Sequence, residues 1–245
     1  MRNLLIIGAF AACASAAPAF AQEAAAPTPA VTFTGNVAVT SDYVFRGISQ
    51  SNSDMALQGG FDITTAAGWY VGTWLSSIDF NDASDANLET DIYAGYTAAI
   101  GKTGLTYNVG LYGYLYPDVT SKEKFNYYEV YAGLSYAVGK FTIAGQVNYS
   151  PNFFADSGDA IYTTVTGAYT VNDVFSVSGG VGYQTINDAA KFGTNDYTTW
   201  NVGGTIALPG AFKCTSLDVR YSDTDDKGFG SLDNSRVIVT LKRVM

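Results

Sequence analysis

Tyr128-Glu-Val-Tyr-Ala-Gly-Leu-Ser-Tyr136 alternates between two unlike faces. Its even positions, Tyr128, Val130, Ala132, Leu134 and Tyr136, are apolar or aromatic. The odd ones, Glu129, Tyr131, Gly133 and Ser135, are polar or small apart from one tyrosine. A period of two is the period of a β-strand. After a short turn the pattern resumes as Phe141, Ile143, Gly145, Val147 and Tyr149 against Thr142, Ala144, Gln146 and Asn148. A third copy runs Phe175, Val177, Gly179, Val181, Tyr183. In each copy an aromatic opens and closes the apolar face, eight positions apart. At roughly 3.3 Å per residue and a ~40° tilt that separation is about 20 Å vertically, near the height of the lipid-facing band of a membrane barrel. A soluble barrel would turn its apolar face inward and has no reason to ring both rims with Tyr and Phe.

Working outward from these copies gives twelve alternating segments, near 31–46, 55–65, 69–78, 88–98, 105–116, 127–136, 141–150, 160–169, 174–184, 197–206, 212–222 and 235–245. Short, glycine-containing or polar turns alternate with longer polar connections. The expected fold is all-β: a 12-stranded antiparallel transmembrane β-barrel with short periplasmic turns and longer extracellular loops. Closure removes the sheet edges that a bilayer cannot solvate. Tyr96, Tyr107, Tyr136, Phe141, Tyr169 and Phe175 are expected in an aromatic belt beside the short turns, and Tyr43, Tyr128, Tyr149, Tyr183, Trp200 and Tyr221 in a belt beside the long loops. The third segment fits least well, because Trp69, Tyr70 and Trp74 do not share one parity.

The chain opens with a secretory pattern: Arg2, an apolar stretch from Leu4 to Ala14, and Ala19-Phe20-Ala21 before Gln22. Expected are a signal peptide at 1–21, a periplasmic N-terminal segment at 22–30 and an outer-membrane barrel at 31–245. The sequence around Cys13 offers a weaker, lipoprotein alternative. Removal of 1–21 leaves only Cys214, so no disulfide can form within the mature chain. There is no histidine. That excludes Ser-His-Asp catalysis and His-ligated zinc, and no enzyme, cofactor or metal is expected. Loss of Arg2 leaves twelve basic against 22 acidic residues, a net of −10, which argues against nucleic acid as a partner.

Fourteen of the 22 acids fall in the six long connections. They make either a solvated loop surface or an attractor of divalent ions and cationic solutes. Asp223-Thr-Asp-Asp-Lys-Gly228 is a poor calcium loop, since Lys227 stands at a ligand position and no Glu closes it. Three arginines, Arg46, Arg220 and Arg236, fall on the inward parity near the outer ends of the first, eleventh and twelfth segments, which become neighbours on closure. Glu89, Asp91 and Glu129 fall inward across the lumen. These six are the expected pore-lining residues. A basic arc facing an acidic arc would set a transverse field. The alternative is that these groups pair with each other or with interior Tyr93, Tyr112, Tyr114, Tyr127 and Tyr131 and plug the lumen. Twelve strands lie between the filled eight-stranded barrel and the water-filled porin, so any pore is narrow.

Ser41-Asp-Tyr-Val-Phe-Arg-Gly-Ile-Ser-Gln50 resembles the signature of the TorF family of porin-like proteobacterial outer-membrane proteins. Gly68-Trp-Tyr-Val-Gly-Thr-Trp-Leu-Ser76 and Glu89-Thr-Asp-Ile-Tyr-Ala-Gly-Tyr96 fit the same pattern. The resemblance implies an outer-membrane barrel acting as a porin and carries over no binding site. The function expected is passive diffusion of small solutes or ions, with outer-membrane lipid as the surrounding partner. A closed structural or adhesive barrel is the alternative, and homo-oligomerisation stays open. The ending Leu241-Lys-Arg-Val-Met245 departs from the terminal aromatic usual in such barrels.

Overall fold

The computed structural model describes residues 30–82, 86–117, 119, 124–226 and 228–245. The expected leader and most of the segment after it lie outside the described residues, as do Asp85, Asp118, Lys122, Glu123 and Lys227. Twelve strands close into an antiparallel barrel. They are β1 (Val31–Thr40), β4 (Ala56–Thr65), β5 (Trp69–Ser77), β6 (Leu88–Ala99), β7 (Leu105–Leu115), β8 (Tyr127–Val138), β9 (Phe141–Ser150), β10 (Ala160–Thr170), β11 (Phe175–Ile186), β12 (Tyr197–Ala207), β13 (Thr215–Thr224) and β14 (Arg236–Val244). Two short strands, β2 (Val44–Phe45) and β3 (Ile48–Ser49), form a separate hairpin between β1 and β4. The seam is made by β14 on β1, with Thr40 opposite Thr240 and Asn36 opposite Val244.

The alternation read from the sequence is the physical alternation of the wall. Val130 is 41% exposed and Leu134 53%, whereas Glu129 between strand neighbours is 1% exposed. Val, Leu, Ile and Phe side chains point outward all round the barrel, from Phe33 and Phe61 to Val237 and Leu241. Such a surface is stable only against acyl chains, since water would meet a continuous apolar band. In the third barrel strand, β5, Trp69 points outward while Tyr70 and Trp74 point inward, which is why these three rings do not share one parity.

The inner face is built differently on its two sides. Across β5–β8 it carries a wall of tyrosines: Tyr70, Tyr93, Tyr112, Tyr114, Tyr127 and Tyr131 are all buried. Tyr93 stacks on Tyr112 at 5.0 Å, and Tyr114 on Tyr127 at 4.3 Å. Facing glycines give them room: Gly72 lies opposite Tyr93, Gly95 opposite Tyr70, and Gly110 opposite Tyr131. A Cβ at any of the three would collide with the tyrosine ring or its hydroxyl. Across β9–β13 the inner face carries more small and polar residues, and Thr164, Thr166, Ser178, Gly180 and Asn201 among them stay partly accessible.

The sequence reading needs one correction here. The first strand ends at Thr40 and not near 46, so Arg46 does not sit on the barrel wall. Tyr43 leaves the expected outer belt with it and is 3% exposed. The cause is local. Ser41-Asp42 turns the chain off the sheet, and Arg46 (φ 47) with Gly47 (φ 84) makes a two-residue turn with positive φ at both central positions, as a tight hairpin of this type needs. The other aromatics assigned to the two belts lie on the outer face, half-buried or exposed.

Candidate functional site: a hairpin docked across the lumen

The β2–β3 hairpin crosses the barrel interior at the end that carries the long loops. It is seated by contacts around most of the ring. Tyr43 donates to Glu89 Oε1 on β6 at 3.0 Å and packs edge-on against Trp74 on β5. Phe45 packs on Tyr114 of β7. A Cβ on Gly47 would stand 2.9 Å from Thr224 Cβ and 3.1 Å from Thr199 Cγ2, so only glycine lets the tip approach β12 and β13 this closely. Ser49 N donates to Leu232 O of the β13–β14 loop at 2.8 Å.

Arg46 is the point of this hairpin. Its Nη2 donates to Glu129 Oε2 on β8 at 2.7 Å and its Nη1 to Gln184 Oε1 on β11 at 2.8 Å. Its guanidinium carbon lies 4.3 Å from the ring centre of Tyr162 on β10, 4.7 Å from that of Phe45 and 5.7 Å from that of Phe153. Nε finds no hydrogen-bond partner among the described residues. Burial works against the charge, but Glu129 first, then the tyrosine hydroxyls of Tyr114, Tyr127 and Tyr162, outweigh it and hold the group more firmly protonated than in water. The receiving groups are themselves fixed. Glu129 Oε2 also accepts from Asn148 Nδ2 at 2.9 Å and from Tyr114 at 3.3 Å. Gln146 in turn donates to Asn148. The amide of Gln184 donates to the carbonyl of Thr185 at 3.1 Å, which turns its Oε1 toward Arg46.

The other expected pore residues sort into local pairs. Arg220 clamps Asp218, two residues away on the same face, through Nε at 3.2 Å and Nη2 at 3.1 Å, and donates to Asn201 and Ser178. Arg236 pairs with Asp42 and also donates to the carbonyls of Ser231 and Leu232. Glu89 and Asp91 are both 2% exposed beside Tyr43, Tyr112 and Tyr116. Arg46 therefore meets Glu129 directly, and Arg220 and Arg236 are neutralised on their own side. An arc of free arginines opposite an arc of free carboxylates is not formed. Acid in the 223–228 stretch is likewise spent on the loop: Asp225 accepts from Thr198 N, and Asp226 from Thr194 and from Gly228 N.

Asp42, Asn148, Tyr162 and Gln184 complete the site without having been singled out in the sequence. Asn148 and Gln184 stood on inward parities, but parity does not say which inward residues a loop will reach. Beyond the hairpin, aromatic residues of the long connections continue the closure. Phe80, Phe125 and Phe154, from three different loops, pack together, with Phe125 stacked on Phe154 at 4.4 Å. Phe192, on the short helix α1 (Ala189–Phe192), bridges Phe153 and Phe229. Lys124 and Asp156 add a surface ion pair between two of these loops.

The sequence pattern of a bacterial family described as a protein of unknown function, Gcw_chp, matches residues 23–244. The chain belongs to the Gcw_chp family. No curated protein matches it closely enough to count as a relative. Among solved structures, this Gcw_chp barrel is similar to the KdgM porin at 12% identity and a TM-score of 0.58, over 86% of this chain and 98% of that one. It is similar to the NanC porin at 13% identity and a TM-score of 0.56, over 87% and 98%. An outer-membrane channel from Pseudomonas putida F1 follows at 13% identity and a TM-score of 0.53, over 91% and 99%. At such identities the likeness is one of fold: a porin-type, twelve-stranded barrel.

Proposed function

We propose that this Gcw_chp protein is a gated outer-membrane channel for small solutes or ions, closed by its β2–β3 hairpin. It would reach the Gram-negative outer membrane through the leader expected at 1–21. The observation that carries this reading is how the hairpin is held. A barrel meant to stay shut is best filled by apolar side chains, because burying charge is costly. Here the tip of the closing element is an arginine, held by one carboxylate, one amide and an aromatic face, with Nε unsatisfied. Such a contact is specific and reversible. The polar wall of β9–β13 would line the path once the hairpin withdraws. The porin-type fold and the resemblance of residues 41–50 to the TorF signature support the same reading.

Planar-bilayer recording of the purified protein tests it. Wild type is expected to show rare openings, and Arg46→Ala frequent, steady single-channel steps. No steps from either protein would reject the proposal in favour of a closed structural or adhesive barrel. That second reading has its own support in the aromatic packing of the loops over the hairpin.

A further inference from the structure

We infer that the pocket around the Arg46 side chain is a receptor for guanidinium-bearing solutes, with Arg46 its built-in occupant. The pocket has the three features that recognise a planar guanidinium. Two acceptors, Glu129 Oε2 and Gln184 Oε1, take separate N–H groups, and an aromatic face, Tyr162, lies against the plane. A compact ammonium would use the carboxylate but gains less from the flat ring and the paired acceptors.

None of these groups belongs to the hairpin. Glu129 is on β8, Tyr162 on β10 and Gln184 on β11, while Phe153 comes from the β9–β10 connection. Asn148 and Tyr114 hold Glu129, and backbone carbonyls hold Gln184, through hydrogen bonds that use no group of residues 43–50. Withdrawal of the hairpin would thus leave a pocket whose carboxylate and amide oxygen are already aimed but lack their cation. Acceptors held in place before binding favour recapture of a cation of the same shape. Two further facts point the same way. The hairpin presents its arginine from a strained position, φ 47 at a non-glycine residue, and leaves Nε without a hydrogen-bond partner among the described residues. A free guanidinium can turn to use donors that the tethered one wastes. The acidic long loops, by Coulomb attraction, also concentrate cations at this end of the barrel. As a statement about solute class this inference rests on the gated-channel reading. The binding itself does not.

The experiment uses the full-length protein in detergent, with guanidinium chloride as the probe and sodium chloride and tetramethylammonium chloride as controls. Probe concentrations stay millimolar, far below the molar range in which guanidinium unfolds proteins. Calorimetric titration of Arg46→Ala is expected to give a saturable heat absent from both controls. Binding should weaken at least about tenfold in Arg46→Ala/Glu129→Gln. Arg46→Gln, which keeps a hydrogen-bond donor at the tip, is titrated alongside in case Arg46→Ala misfolds. In bilayers the same millimolar guanidinium should reclose the Arg46→Ala channel. Heats indistinguishable from sodium chloride in both single variants, or unchanged by Glu129→Gln, overturn the inference even if the variants conduct. Glu129-dependent binding in a protein that never conducts upholds the receptor and rejects the channel.

Discussion

The ring of Tyr93 occupies the space above Gly72: a Cβ on that glycine would stand 2.5 Å from Tyr93 Cε2 and Cζ. The two residues face each other across β5 and β6. The ring is pinned from its other sides by stacking on Tyr112 and by a 2.6 Å hydrogen bond to Asp62. It cannot swing aside without breaking one of these. Gly72→Val is therefore expected to destabilise the barrel by about 1–3 kcal/mol through overpacking. Gly167, on the outer face of β10, has nothing within 4 Å of its would-be Cβ, and Gly167→Ala should be neutral. Heat-modifiable migration on gels, scored against temperature, separates the two variants. Equal midpoints would mean that the tyrosine wall is plastic.

Removing one partner of the Arg46–Glu129 pair strands the other in a site closed to water. Arg46→Ala should cost about 3–5 kcal/mol in hairpin docking, and Arg46→Ala/Glu129→Gln less than the single change. The twelve barrel strands keep their own ladders, so the loss should be local. Hydrogen exchange is expected to rise across residues 41–55 of Arg46→Ala while the amides of β8 and β11 stay protected. Uniform deprotection of the barrel would show that the hairpin supports the wall and does not merely rest on it.

The two faces of a single strand should respond oppositely to charge. Val165 lies at the middle of β10 and faces outward, and Thr166 beside it faces the lumen. Val165→Arg is expected to cost roughly 2–4 kcal/mol, the penalty for arginine near a bilayer midplane. Thr166→Arg should fold almost normally. Refolding yield into vesicles measures both. A tolerated arginine at 165 would mean that this face is covered by protein and not by lipid.

What was legible in the sequence follows from how each feature is encoded. The wall of β8 could be read residue by residue, because period-two burial writes itself directly into Tyr128, Val130, Ala132, Leu134 and Tyr136. Strand edges such as Val31, Trp69, Phe141 and Tyr197 also fall where the pattern placed them, within a residue or two. The hairpin was not legible, because Tyr43 and Phe45 continue the outward apolar parity of Val37 and Val39. Only the turn chemistry of Arg46-Gly47 distinguishes a strand from a hairpin there, and a Gly after a bulky residue is weak punctuation. Five of the six charged residues stand on barrel strands, and Arg46 stands instead at the tip of the hairpin. The local pair of Arg220 with Asp218, two residues apart on one face, was within reach of the sequence, but the distant partners were not, since Arg46 to Glu129 spans 83 positions and Arg236 to Asp42 spans 194. Parity reports which face a side chain takes, and nothing about which loop comes to meet it.

A covalent latch offers the most direct test of gating. The hairpin tip and β13 meet at Gly47 and Thr224, where a Cβ built on the glycine would lie 2.9 Å from Thr224 Cβ. A disulfide needs about 3.8 Å between such atoms, so a shift of about 1 Å suffices to bridge Gly47→Cys with Thr224→Cys. Positive φ at 47 strains the new side chain, and the pair should form more slowly than an unstrained one but within reach of a mild oxidant. Exposed Cys214 must first become Ser to prevent cross-linking between molecules. Oxidised, the double-cysteine protein should show fewer openings than wild type, and a reductant added to the bilayer chamber should restore them. Openings of unchanged frequency in a fully oxidised sample would place the path for solutes beside a stationary hairpin, along the Thr164–Ser178–Asn201 wall, and would remove the hairpin from the gate.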